Sequence, residues 1–164
     1  MKTIKKILVP TDLSELSFAA IEYAKSLSKV YKAKLYLLHS VDVVPVVSFP
    51  TVDFTLETAL NDETEKAKDI VEKLISDTLV DADNVTAVVR RGVAYHEIMK
   101  FVKDEAIDLI VMATHGRTGL PHIIMGSVAE KVVRHSPVPV LTVKPSRAGE
   151  RSSKAEEAKQ LQVQ

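Results

Sequence analysis

The chain has 164 residues, of which 46% are hydrophobic and 27% charged, ordinary values for one globular domain with one core. Lys plus Arg equal Asp plus Glu at 22 each, so the bulk charge gives no reason to expect nucleic acid or an anionic membrane as partner. Cysteine is absent, which excludes disulfides, thiolate catalysis, iron–sulfur clusters and cysteine-ligated zinc, and suits a reducing interior.

The N-terminal stretch MKTIKKILVPTD begins basic, but its apolar run stops at Pro10-Thr11-Asp12, short of a secretory signal core. No window approaches the roughly 18 apolar residues of a membrane span. A cytoplasmic protein is expected.

Ile4 to Val9 (IKKILV) predicts strand 1, closed by Pro10. Ser14 can cap the next segment, where Leu16, Ala20, Ala24 and Leu27 recur at helical spacing. Lys34 to His39 predicts strand 2. Asp42 to Leu56 is an apolar linker broken by Pro45 and Pro50, long for a compact domain. It reads either as a loop packed on the body or as a flap near a ligand or partner. Glu57 to Leu79 predicts a helix with Leu60, Ala67, Ile70, Val71, Leu74 and Ile75 on one stripe.

Asn84 to Arg90 predicts strand 3 and Gly92 a turn. Ala94, Ile98, Phe101 and Val102 give helix 3 its buried face. Asp108 to Met112 predicts strand 4, Ser127 to His135 helix 4, and Val138 to Val143 strand 5. Residues 1–146 form the expected domain. Residues 147–164, rich in Ser, Lys, Glu and Gln, read as a charged and mostly disordered tail.

Strands thus alternate with helices, and strands 1 and 4 are nearly all apolar, as central strands of a parallel sheet are. Right-handed crossovers then predict an α/β fold, a Rossmann-like doubly wound five-stranded parallel sheet of order 3-2-1-4-5 with helices on both faces. Ligands of such sheets sit beyond the carboxyl ends of the strands, where the winding reverses. That places Pro10-Thr11-Asp12 and the stretch ATHGRTGLPHIIMGS, Ala113 to Ser127, at one crevice.

Glycines at 116, 119 and 126 permit close backbone approach to a phosphate, and Gly126-Ser127 opens a helix whose N-terminus favours an anion. His115 and Arg117 can add donors or charge. The alternative is a plain turn, with Ser127 occupied by its own capping box, Ser127-Val128-Ala129-Glu130. Asp12 can accept hydrogen bonds from ribose hydroxyls or an adenine amino group, or can cap helix 1 with Ser14. Val41 lies just past strand 2, where its backbone can meet an adenine edge. No GK[ST] sequence, recognisable catalytic triad, HxH or HExxH spacing occurs, so a zinc site is not expected.

The segments ILVPTDLSELSFAAIEYA, RRGVAYHEIMKFVKDEAIDLIVMATHG and LIVMATHGRTGLPHIIMGSVAEKVVRHSPVPVLTVK resemble the universal stress protein family in its ATP-binding subgroup. The resemblance covers about residues 1–146. The family motif G-x2-G-x9-G-[ST] falls with its second glycine at Gly116 and its last two positions at Gly126-Ser127; Ala113 stands where the first glycine belongs. The resemblance implies adenosine contacts at Asp12, Val41 and Met112, and phosphate contacts at Gly116, Gly126, Ser127 and the backbone of Val128. It implies ATP as ligand and a homodimer through the last strand, Val138 to Val143. Mg²⁺ held mainly by phosphates would need only one or two protein oxygens, which Asp12 or Ser127 can supply. Three readings follow: a nucleotide-dependent regulatory module, a slow ATP hydrolase or phosphoryl-transferring enzyme, and an interaction protein of the same fold without nucleotide.

Overall fold

The computed structural model describes residues 3–42, 53–79, 84–114 and 125–144. The tail and residues 43–52 of the linker lie outside them, as do His115, Gly116 and Arg117. The elements alternate strictly: β1 (Lys6–Thr11), α1 (Glu15–Tyr31), β2 (Lys34–Val41), α2 (Asp53–Thr78), β3 (Val85–Arg91), α3 (Ala94–Asp104), β4 (Leu109–Ala113), α4 (Ser127–His135) and β5 (Val140–Val143). They build one parallel sheet in the order β3-β2-β1-β4-β5, as the pattern of the sequence predicts. Among the described residues, no helix is long and apolar enough to cross a membrane.

Alternation along the strands sorts the core into two layers. Ile7, Val9, Leu35, Leu37, Val111 and Ala113 meet Ala20, Ile21, Ala24, Val71 and Leu74 beneath α1 and α2. Leu8, Tyr36, Leu38, Ile110 and Met112 meet Ile98, Phe101, Ala129 and Val132 beneath α3 and α4. Both faces of the central strands are therefore covered, which explains their unbroken apolar sequence.

Several boundaries differ from the sequence pattern for local reasons. Pro10 does not close β1; it lies within the strand, opposite Leu38 of β2. Its fixed φ suits extended backbone, and only a donor is lost. Val138 does not join β5. The Ser136 hydroxyl donates to the Val138 carbonyl at 2.7 Å, and the next residue, Pro139, has no N–H. Helix α2 begins at Asp53, so the last residues of the expected linker are helical. Ile70 leaves the buried stripe of α2 and is 52% exposed, while its neighbour Val71 is fully buried.

The amino ends of the strands carry a polar clamp. Asp108 Oδ2 accepts the N–H groups of Lys5 and Lys6 at 2.8 and 2.9 Å. Lys6 Nζ donates to the Glu105 carbonyl at 2.6 Å and lies 3.3 Å from its Oε2, which also accepts from Tyr36 Oη at 3.2 Å. The bond from Lys6, and then that from Tyr36, hold the Glu105 carboxyl below its ordinary pKa.

Candidate functional site

The opposite, carboxyl ends of the strands hold the candidate site. Strands β1 and β4 pair at Ile7–Leu109 and Leu8–Ile110, yet β1 runs on to Thr11 and β4 to Ala113. Beyond Leu8 the two strands part, where the winding reverses. A cavity of about 350 Å³ opens there. Its size lies within the range of small-ligand pockets, roughly 300–1,000 Å³.

Its first wall is the end of β1, Pro10, Thr11 and Asp12. The turn that follows is held by a chain of hydroxyls. Ser17 Oγ donates to the Ser14 carbonyl at 2.7 Å, so its lone pair receives the Thr11 hydroxyl at 2.8 Å. Thr11 Oγ1 in turn accepts the Leu13 N–H at 3.0 Å. Each hydroxyl thus donates once and accepts once, and the chain of bonds holds the loop geometry. Leu13 is held at φ 64, a left-handed conformation that leucine ordinarily avoids. The Asp12 carboxylate accepts from Ser14, through its N–H at 3.1 Å and its hydroxyl at 2.6 Å. Asp12 is thus engaged in the turn before α1 and lines the cavity as well.

The second wall is the end of β2. His39 is 8% exposed, and its Nδ1 lies 2.9 Å from the Thr11 carbonyl; since a carbonyl only accepts, Nδ1 carries the hydrogen. Backbone groups alternate sides along a strand. The Lys34 N–H donates to Lys5 on the β1 side, and the Leu35 N–H to Asn84 on the β3 side. Val41 shares the parity of Leu35, and its carbonyl accepts the Gly92 N–H at 2.9 Å. It is buried and does not line the cavity, whereas Ser40 and Asp42 on either side do. Ser40 turns its backbone toward β1, one rung past Thr11. The N–H that would answer its carbonyl there belongs to Leu13 and donates to Thr11 Oγ1 instead. The Ser40 carbonyl therefore faces the cavity. The sequence alone points to Val41; the parity of the strand is the signal that selects Ser40.

The third wall joins β4 to α4. Met112, Ala113 and Thr114 face Gly126, Ser127, Val128 and Ala129, with Ala94 and Ile98 of α3 beside them. The Ala113 methyl belongs to the core layer beneath α1 and α2, together with Val111 and Val143. Gly126, not Ser127, is the N-cap of α4, and its carbonyl accepts the Glu130 N–H at 2.9 Å. Ser127 stands one position further on, so the capping-box alternative is not the one adopted. Gly126, having no side chain, supplies no side-chain cap to this helix end. Its first N–H groups have no carbonyl of a preceding turn to receive them, and the positive end of the helix dipole opens on the cavity.

Gly126 has φ −67 and ψ 152, angles open to any residue. A Cβ added there would meet only the Thr114 carbonyl, at 3.6 Å, an ordinary contact. Nothing within the described chain requires a glycine at this place. The carboxylates of Asp12 and Asp42 stand at one part of the cavity and the helix end at another, so the site is electrically polar. Among the described residues, no group of three or more His, Asp or Glu is placed to hold a metal ion.

The model of the universal stress protein family matches residues 3–144. Universal stress protein MJ0531 of Methanocaldococcus jannaschii is 37% identical over 142 residues, covering 85% of this chain and 82% of that protein. The solved structure of MJ0577, from the same organism, superposes with a TM-score of 0.78 at 34% identity, covering 90% of this chain and 100% of that one. An Arabidopsis thaliana family member solved with AMP bound superposes at 0.59 over 89% of this chain and 94% of its own; at 20% identity that likeness is one of fold. With the sheet order, the matched span and these relatives in agreement, the chain belongs to the universal stress protein family.

Proposed function

We propose that the chain binds an adenine nucleotide, ATP foremost, in the crevice between β1 and β4, and serves as a nucleotide-dependent regulatory module in stress response. The observation that carries this reading is Gly126. Neither its backbone conformation nor the packing of the described residues requires a glycine there, and it gives its helix no side-chain cap. A glycine there keeps the approach to the helix N–H groups open for phosphate. The polarity of the cavity agrees: phosphates go to Gly126, Ser127 and Val128, and the nucleoside to Asp12, Met112 and the Ser40 carbonyl, which suits an amino donor. The reading also assigns His115, Gly116 and Arg117 to the phosphates; they lie outside the described residues. A Mg²⁺ ion would be held mainly by phosphate and water, with one oxygen from Asp12 or Ser127.

The hydroxyls of Thr11, Ser17 and Ser40 are engaged within the chain; the last donates to the Gly92 carbonyl at 2.7 Å. The same reading includes a homodimer through Val138 to Val143, since β5 is a sheet edge and Leu141 is 38% exposed. A monomer at micromolar concentration in sedimentation would remove that part.

The deciding experiment is mass spectrometry of ligand released from freshly purified, denatured protein. Adenine nucleotide is expected, and added ATP at about 100 times Kd should stabilise by about 2.7 kcal/mol. No released nucleotide together with an unmoved Tm would overturn the reading.

A further inference from the structure

The hydroxyl of Ser14 is used in an unexpected way. Ser14 is the N-cap of α1, with φ −82 and ψ 154, the conformation in which a serine oxygen accepts an N–H of the first helical turn. It makes no such bond. Its Oγ instead donates to Asp12 Oδ1 at 2.6 Å, and its N–H donates to the same oxygen at 3.1 Å. A hydrogen bond this short onto a carboxylate is of the stronger, charge-assisted kind. The helix forgoes its side-chain cap, and the carboxylate at the cavity wall is held instead.

Two bonds onto one oxygen fix both its position and the plane of the carboxylate. The residue between, Leu13, cannot drift, because its N–H is bonded to Thr11 Oγ1 and its φ is 64. We propose that Ser14 is a positioning residue: it holds Asp12 in the orientation that receives donor groups of the bound nucleotide. This rests on the adenine-nucleotide reading above and deepens it, by assigning a role to a residue that does not itself line the cavity.

The test is a double-mutant cycle on ATP affinity, measured by calorimetry with the full chain: wild type, Ser14→Ala, Asp12→Ala and the pair, with Ser14→Thr as the rescue. Ser14→Ala should weaken ATP about five- to tenfold, the scale of an indirect loss at a charged hydrogen bond. In the Asp12→Ala background the same substitution should change affinity less than about twofold, because residues acting as a unit are not additive. Ser14→Thr, which keeps the hydroxyl, should restore binding to within about twofold of wild type. A merely structural Ser14 would weaken ATP by the same factor in both backgrounds, and that outcome overturns the proposal, as does an unchanged affinity in Ser14→Ala. A wild-type chain that binds no ATP overturns this inference and the nucleotide reading together, so the two failures are distinct.

Discussion

The N–H of Gly126 donates to the carbonyl of Thr114 at 2.8 Å, tying the start of α4 to the end of β4. Thr114 is also anchored from the sheet side, since its own N–H donates to the Val143 carbonyl at 2.9 Å. The two ends of the glycine-rich stretch are therefore pinned to the central sheet. The position of the helix end in the cavity is set by strand pairing.

Gly126→Ala separates ligand binding from folding. Its angles suit alanine, and the new methyl meets only one carbonyl at 3.6 Å. The entropy gained from removing a glycine and the poorer capping of alanine roughly offset, so stability should change by less than about 1 kcal/mol. ATP affinity should fall about tenfold or more, because the methyl occupies the approach to the helix N–H groups. Urea unfolding beside ATP titration checks this; equal losses in both would assign Gly126 a structural role.

The fold was legible because both of its determinants are local. Apolar runs at Ile7–Val9 and Leu109–Met112 mark central strands, and helical stripes mark the covering layers. The crevice followed from strand order alone. What was less legible depends on pairing. Proline reads as a strand end, yet Pro10 stays in β1 because extended backbone tolerates its φ. The sequence pattern points to Val41, whose carbonyl accepts the Gly92 N–H, whereas its neighbour Ser40 lines the cavity. The hydroxyl chain through Thr11 and Ser17 joins β1 to α1, and no spacing rule gives the direction of its donors.

Gly92 contrasts with Gly126. Its φ is 137, and a Cβ there would lie 3.0 Å from Glu97 Oε1. The glutamate can move, but the backbone strain remains. Gly92→Ala should cost about 1–3 kcal/mol in urea unfolding. It should also loosen the end of β2, because Gly92 bonds both Val41 and the Ser40 hydroxyl. A neutral result would mean that the turn re-forms in another conformation.

On α2 the exposure of Ile70 makes a paired prediction. Leu74 is 9% exposed and packs in the layer beneath the sheet, whereas Ile70 is 52% exposed. Leu74→Ala should destabilise by about 2–5 kcal/mol and Ile70→Ala by no more than about 0.5 kcal/mol. A large effect at Ile70 would mean that a partner or a second copy covers it in solution.

The clamp at the amino ends of the strands should govern acid stability. The Glu105 carboxyl is held below its ordinary pKa, first by the bond from Lys6 and then by that from Tyr36. Its folded pKa is depressed, so its contribution is present above the unfolded pKa and is lost as pH falls through the folded one. Glu105→Gln removes the charge and keeps the shape. The variant should melt below wild type at neutral pH, and the gap should narrow as pH drops below about 4.5 and the wild-type carboxyl takes up its proton. The pair is partly exposed, so added salt should also shrink the gap. Melting curves of both proteins across that range check the sign. A gap that stays constant from neutral to acid pH would show that the Lys6–Glu105 pair contributes through shape and packing and not through charge.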